Sequence, residues 1–99
     1  MNRADVIARL KAAEPALRAR GVAALYLYGS YARDEAGEDS DVDVLVEPAN
    51  DEFFSLESYM GAFFDLQRAM SGKEVGYTTR DAISKYLRPY VDRDAIRIF

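Results

Sequence analysis

Two short segments with the pattern of β-strands frame the most informative part of the chain. Residues 24–28 form an apolar run, Ala-Leu-Tyr-Leu-Tyr, that ends at Gly29 as a buried strand does. In residues 41–47 acidic and aliphatic side chains alternate, so Asp41 and Asp43 point to one side of a strand and the valines to the other. We therefore expect a sheet with an apolar core on one face and paired carboxylates on the other.

The segments around these strands predict helices. Asn2 is a suitable N-cap for a first helix, which Pro15 interrupts and Gly21 ends. A second, short helix is expected over residues 30–36, directly after the first strand.

The longest helix is predicted over residues 53–70, and Phe54 falls outside its apolar stripe. The stripe is expected to be core and consists of Leu56, Tyr59, Met60, Phe63, Phe64, Leu66 and Met70. A third strand is predicted over residues 74–78, a helix over residues 80–86 and an apolar tail or edge strand over residues 95–99. The order predicts a single α/β (α+β) domain over residues 1–99, with helices flanking a small mixed sheet.

The composition excludes several kinds of chemistry. The chain has no cysteine and no histidine, so disulfides, thiolate or imidazole metal sites and Ser-His or Cys-His catalysis are ruled out. No apolar run approaches the roughly 20 residues that cross a bilayer, and the N-terminus lacks the apolar stretch of a secretion signal. We expect a cytoplasmic protein that makes no use of a membrane and works with carboxylates, hydroxyls, lysine and arginine.

Acidic residues are concentrated in the middle of the chain. Between Asp34 and Asp65 there are eleven acidic residues and no lysine or arginine. Such a run is usually a solvated surface, but a carboxylate-lined site for cations would have the same composition. Either interpretation argues against nucleic acid as the main partner, because phosphate backbones bind basic surfaces.

The segment from Gly29 to Asp43 fits one chemical task. Gly29 permits a tight turn and close approach of a ligand, and Ser30 would open a helix whose free backbone amides favour a phosphate. Asp41 and Asp43 lie two apart on a strand, with carboxylates on one face roughly 6–7 Å apart along the backbone. Hard oxygen ligands in this arrangement suit Mg²⁺, which would in turn bind the phosphates of a nucleoside triphosphate.

This segment resembles the signature of a known superfamily. The pattern Gly-Ser, ten further residues and Asp-Val-Asp, from Gly29 to Asp43, is similar to that of the DNA polymerase beta-like nucleotidyltransferases. The flanks, residues 25–33 and 40–47, resemble the minimal, or MntA-like, nucleotidyltransferases, and the similarity continues to residues 86–89. It implies a polymerase beta-like nucleotidyltransferase fold.

The resemblance also implies roles. Family members are often the antitoxin of a pair with a helical HEPN ribonuclease toxin, and some transfer AMP from ATP to a tyrosine of that toxin. Here Gly29 and Ser30 would hold the triphosphate. Asp41 and Asp43 would ligate Mg²⁺, with two ions expected beside bound nucleotide. Arg33 is expected either near phosphate or in an ion pair with a nearby acid.

One position departs from the family pattern. The family places a third catalytic carboxylate on the next strand, and here Gly76 occupies that position. Glu74, two residues earlier on the same strand face, is the candidate to replace it, or else it is a solvated strand residue. Lys73 is either a phosphate contact or a turn residue.

Three functions are compatible with these features. The chain has no further segment to hold an acceptor, so another protein or a second copy is expected to supply it. The leading hypothesis is an antitoxin that transfers AMP from Mg-ATP to a hydroxyl of a HEPN toxin. The alternative is a catalytically weak or inactive antitoxin that acts by binding its partner, and a third is a nucleotide sensor.

Overall fold

In the computed structural model, which describes residues 1–99, four strands form one mixed sheet. The strands are β1 (Val22–Tyr28), β2 (Val42–Pro48), β3 (Val75–Thr79) and β4 (Ile96–Arg97). Their order is β3-β2-β1-β4, with β1 antiparallel to β2 and to β4, and β2 parallel to β3. The small mixed sheet expected from the sequence is confirmed.

Five helices accompany the sheet. They are α1 (Arg3–Ala12), α2 (Glu14–Ala19), α3 (Gly29–Ala32), α4 (Leu56–Ala69) and α5 (Arg88–Asp94). The longest has 14 residues, and none combines the length and apolarity that crossing a bilayer requires.

The N-terminal helices follow the prediction. Asn2 caps α1 through a capping box, in which its side chain accepts from the amide of Asp5 at 2.8 Å and Asp5 accepts from the amide of Asn2. Pro15 lies in the first turn of α2, where a missing amide hydrogen does no harm, so α2 restarts the helix after Ala13. Gly21, at φ +100°, ends it.

The predicted helix over residues 53–70 is wrong in its first turn. Asp51–Phe54 form a 3₁₀ turn, and α4 begins only after Ser55, whose hydroxyl accepts from the amide of Ser58 at 3.2 Å. Ser55 is extended at ψ 148°, so the two helical segments cannot be continuous. The break lets Phe53 turn inward, where it is fully buried.

The predicted stripe of α4 is wrong at two positions. Leu56 is 80% exposed and Phe64 is 52% exposed, whereas the small Ala62 is buried. Phe54 is exposed, as its position outside the stripe predicted. The break at Ser55 removes Leu56 from the buried face by starting the helix at that residue.

The C-terminal region differs most from the prediction. Only Arg80–Ala82 form a 3₁₀ turn where a helix over residues 80–86 was expected. Pro89 lies in the first turn of α5, a position that tolerates proline. The edge strand predicted in residues 95–99 is present as β4.

Side chains alternate between the two faces of the sheet. The core face carries the buried valines of β2, which pack in one core with side chains of α1, α2 and α4. The opposite face, hereafter the site face, carries the register partners Tyr28, Asp43 and Gly76. Leu45 is also buried on this face, outside the main core.

Candidate functional site

The strand register brings Tyr28, Asp43 and Gly76 together at one end of the sheet. Asp43, near the start of β2, lies opposite Tyr28, the last residue of β1. On its other side Asp43 pairs in parallel register with Gly76 of β3. The site is therefore built where β1 ends and where β2 and β3 begin.

The Asp43 carboxylate fills the space between two glycines. A Cβ added to Gly29 would lie 3.2 Å from Cγ of Asp43 and would overlap its Oδ2. A Cβ added to Gly76 would lie 3.5 Å from the same Cγ and would overlap Oδ1. Any side chain at either position would displace this carboxylate.

Gly29 also has a conformational role. Its φ is +75°, in the left-handed region that side chains disfavour. This conformation turns the chain from β1 into α3 and keeps the backbone of Gly29 close to Asp43. The tight turn expected at Gly29 is thus present, with the Asp43 carboxylate as its near neighbour, while the close approach of a ligand stays a prediction.

The helix after this turn is shorter than predicted. The expected helix over residues 30–36 is limited to α3, because Asp34 adopts φ 61° and cannot continue a right-handed helix. Ser30 is half-buried in its first turn, and no side chain caps that turn. The backbone amides are therefore available to a ligand, while the dipole of four residues is small.

Like charges and burial set the electrostatics of the site. The pKa of Asp43 is raised above its ordinary value, first because the carboxyl is partly buried and then because Asp41 lies nearby, while Arg33 opposes the shift. Burial and the Asp43 charge likewise raise the pKa of the Tyr28 hydroxyl. Asp41 itself is exposed. The charge of Asp41 therefore acts on the Asp43 carboxyl.

Not all of the acidic run contributes to the site. Asp65 lies on α4, where it forms ion pairs with Arg20, at 3.2 Å, and with Arg68. α4 covers the core face, so this carboxylate is on the opposite side of the sheet from Asp43.

Arg33 forms ion pairs beside the site. Its guanidinium donates to Glu35 at 3.1 Å and lies 3.6 Å from a carboxylate oxygen of Asp94. The pKa of Asp94 is lowered, first by the hydrogen bond from Arg93 and also by Arg33. Arg33 thus has the ion pairs anticipated as one alternative, and its contact with phosphate stays a prediction.

Glu74 lies just outside β3 rather than in it. Its side chain is exposed, and its carbonyl accepts from the amide of Val42 at 2.9 Å. Because Val42 pairs with Val75, Glu74 is level with Asp41 rather than with Asp43. No three acidic side chains lie close enough together to hold a metal ion. Glu74 as the third carboxylate stays a prediction.

Lys73 has a role that the sequence did not reveal. Its ammonium group donates to the carbonyl of Glu38 and, at 3.5 Å, to that of Ser40. It also lies 5.6 Å from the ring centre of Tyr31 in α3. Lys73 therefore stabilises the loop that leads into Asp41. The sequence did not show this, because only the pairing of β2 with β3 brings Lys73 close to that loop.

Helix α5 contributes a wall that the sequence analysis missed. A cavity of about 200 Å³ extends from Tyr28, Gly29 and Arg33 to α5. Its lining is almost entirely apolar. The sequence analysis predicted no helix across Leu87 and Pro89, and such a helix would have been the only indication of this wall.

A mixed sheet, a glycine turn into a short helix, and Asp41 and Asp43 at the start of the next strand form the arrangement expected of a nucleotidyltransferase. Residues 10–97 match the family model described as Nucleotidyltransferase domain. This match spans most of the chain, so the chain belongs to the nucleotidyltransferase domain family. The resemblance found in the sequence is confirmed.

Two relatives indicate the kind of nucleotidyltransferase. A protein of Methanocaldococcus jannaschii named "Putative protein adenylyltransferase" is 33% identical over 84 residues, covering 85% of this chain and 87% of the relative. The "Protein adenylyltransferase MntA" of Thermococcus cleftensis is 44% identical over 63 residues, covering 59% of this chain and 64% of the relative. These relatives support a nucleotidyltransferase enzyme similar to protein adenylyltransferases.

Two solved structures have the same fold. One, described as a "putative minimal nucleotidyltransferase", has a TM-score of 0.79 at 30% identity and covers 97% of this chain and 95% of its own. The other, described as a toxin-antitoxin with AMP-PNP, has a TM-score of 0.67 at 20% identity and covers 100% of this chain and 73% of its own. At that identity the second structure supports the fold alone.

Proposed function

We propose that this protein transfers AMP from Mg-ATP to a hydroxyl group of a partner protein in the cytoplasm. The observation that carries the proposal is the Asp43 carboxylate, held beside Asp41 and between Gly29 and Gly76. The relatives named as protein adenylyltransferases support the reaction class.

The two aspartates fit Mg²⁺ as a donor set. Burial and the Asp41 charge raise the pKa of Asp43, so the ionised pair is unfavourable by itself and a divalent cation would relieve it. Mg²⁺ typically uses one or two carboxylates and completes its shell with phosphate oxygens and water. When bound, it would neutralise charge on the triphosphate and on the departing pyrophosphate.

The proposed reaction needs few protein groups. An oxygen of the acceptor hydroxyl bonds to the α-phosphorus of ATP as the bond to pyrophosphate breaks, and the hydroxyl proton passes to a carboxylate or to water. The amides of α3 and the Ser30 hydroxyl would hold phosphate oxygens, with Arg33 as an additional positive charge. Glu74 is the candidate proton acceptor, since Gly76 offers no carboxylate.

We propose a HEPN-type toxin as the acceptor. The name MntA of one relative, together with the resemblance of the sequence to the MntA-like antitoxins, supports this choice. A second copy of this chain is the other acceptor to test.

The test is the transfer of label from α-labelled ATP, with Mg²⁺, to the protein encoded by the neighbouring gene. We expect label on that protein with the wild-type enzyme and background label with the double variant Asp41→Asn, Asp43→Asn. A matched control, Asp51→Asn with Glu52→Gln, removes two exposed charges beyond the far end of β2 and should keep full transfer. Undiminished transfer by the first double variant would sink the assignment of the metal site.

The second candidate function is an antitoxin that acts by binding. Gly76 in place of the third carboxylate, and the absence of any group of three acids, favour it. It predicts that the Asp41→Asn, Asp43→Asn variant still neutralises the toxin in cells, whereas the adenylyltransferase predicts that neutralisation is lost. A growth-rescue assay with the Asp41→Asn, Asp43→Asn variant and with the control variant Asp51→Asn, Glu52→Gln distinguishes the two functions.

A further inference from the structure

The apolar cavity between β1 and α5 lies next to the proposed triphosphate position. Gly29, whose turn leads into α3, forms part of its wall, and Tyr28 forms the adjoining part. On the opposite side the wall consists of Leu87, Tyr90 and Val91. The cavity and the carboxylate of Asp43 therefore share Gly29 as a common border.

The sheet register explains why α5 lies there. β4 pairs antiparallel with β1, with Ile96 opposite Leu27. The residues just before β4 consequently run back along Tyr28 and Gly29, and α5 ends among them at Asp94. The ion pair of Asp94 with Arg33 joins α5 to the end of α3 and leaves little polar surface in the cavity.

The size and lining of the cavity select among the parts of a nucleotide. At about 200 Å³ it is smaller than the roughly 300–1,000 Å³ of pockets for drug-sized ligands, so it can take a fused ring but not a whole triphosphate. Because Arg33 is paired with Asp94, most of the accessible lining is apolar and favours a flat aromatic group over phosphate. Tyrosine side chains at such positions stack on nucleobases.

We propose that this cavity binds the purine base of the nucleoside triphosphate, with Tyr90 and Leu87 as specificity-determining residues. The inference rests on the proposed function, because it assumes that the triphosphate lies at Gly29 and Ser30. It makes α5 the element that distinguishes a nucleotide from bare polyphosphate.

A larger cavity does not compete for this role. It measures about 400 Å³ and lies among α1, α2 and α4, on the core-face side of the sheet. Its acidic group, Asp65, is already paired with Arg68 and Arg20. Nothing connects it to Asp43.

The experiment compares two ligands by calorimetry in the presence of Mg²⁺: ATP and inorganic tripolyphosphate. Tyr90→Ala and Leu87→Ala are the test variants, and both residues are largely exposed, at 59% and 57%, so the fold should tolerate them. We expect Tyr90→Ala to weaken ATP binding by about 5- to 100-fold, the range of a lost base–aromatic contact. Tripolyphosphate binding should stay within about twofold of wild type.

Matched controls are available among exposed residues outside the cavity. Tyr86→Ala removes a tyrosine that is 74% exposed and does not line the cavity, and Leu56→Ala removes an exposed leucine at the start of α4. Both should bind ATP as wild type does. In wild type, CTP should bind more weakly than ATP.

The outcomes distinguish the two levels of the proposal. Unchanged ATP binding in Tyr90→Ala and Leu87→Ala, or an equal loss for ATP and tripolyphosphate, would overturn the base site and leave the triphosphate site standing. No binding of either ligand by the wild-type protein would overturn the proposed function and the base site with it.

Discussion

Gly29 and Gly76 contact the same carboxylate from opposite sides, but for different reasons. Gly29 combines a left-handed φ of +75° with contact to Oδ2 of Asp43. Gly76 has no left-handed conformation, and its register places it against Oδ1. The β1 side of the site thus depends on both backbone shape and space, whereas the β3 side depends on space alone.

This difference explains how glycine at the position of the third acid affects the site. A side chain at position 76 would need the volume that the Asp43 carboxylate now occupies. With glycine there, Asp43 can lie over β3 while remaining near Asp41. The β1 side retains every feature of the nucleotidyltransferase pattern, and the change is confined to the β3 side.

The largest effect is expected for Gly29→Ala. The left-handed conformation alone costs about 1–2 kcal/mol for a residue with a side chain, a fall in Tm of roughly 4–16 °C, and the contact with Asp43 adds to this. ATP binding should be lost. Thermal unfolding and calorimetry measure both effects.

Gly72→Ala is the matched control for this variant. Gly72 is also left-handed, at φ +95°, but has no neighbour within 4 Å of an added Cβ. It should show the strain without the loss of ATP binding. Equal losses of ATP binding in the two variants would contradict the claim that the contact of Gly29 with Asp43 matters for the nucleotide site.

The next effect is expected for Gly76→Ala, which separates space from strain. Alanine normally suits a strand better than glycine, so any loss of stability must come from Asp43. We expect ATP affinity to fall about 10-fold, with a coupling free energy of roughly 0.5–3 kcal/mol to Asp43→Ala in a double-mutant cycle. Additive effects on stability would contradict the contact.

A smaller effect is expected on the loop that leads into Asp41. Lys73→Met removes the hydrogen bonds to the carbonyls of Glu38 and Ser40. Because these bonds hold a surface loop, their loss should act mainly on the position of Asp41, and ATP affinity should fall roughly 3- to 10-fold, equivalent to about 0.7–1.4 kcal/mol, with a smaller fall in Tm than for Gly29→Ala. Lys73→Arg should restore most of the affinity, and a failure of arginine to do so would point to direct contact of lysine with phosphate.

The smallest effect is a gain in stability. Because the folded-state pKa of Asp43 is raised above the ordinary 3.8, protonation favours the folded state, and stability is lost as pH rises through the folded pKa. Asp43→Asn should therefore raise Tm slightly at pH 7, with a gain that shrinks as the pH falls through the folded pKa and disappears below the ordinary 3.8. A lower Tm for this variant at pH 7 would contradict the electrostatic account.

The parts of the fold that follow from local pattern could be predicted. The Asn2 cap, the positions of β1 and β2 and the placement of Asp43 at the start of β2 depend on neighbouring residues. β2 begins at Val42, however, so Asp41 lies just outside the strand in which it was predicted. The break at Ser55 was missed because burial of Phe53 against the core outweighs helical periodicity.

The parts of the site that depend on strand order could not be predicted. Gly76 was recognised as a missing carboxylate, but its contact with Asp43 follows only from the parallel register. Likewise α5 reaches the site because β4 pairs with β1, and the two-residue β4 carries almost no sequence signal. Long-range strand pairing therefore determines the parts of the site that the local sequence pattern does not predict.

The central claim is that Asp41 and Asp43 hold a metal-bound nucleoside triphosphate at the end of the sheet. The most direct measurement is calorimetric titration of the wild-type protein with ATP, once with Mg²⁺ and once with EDTA. We predict saturable binding at one site with Mg²⁺, little binding with EDTA, and loss of the Mg²⁺-dependent part in Asp43→Asn. Equal affinity with and without Mg²⁺, or an unchanged affinity in Asp43→Asn, would contradict the claim.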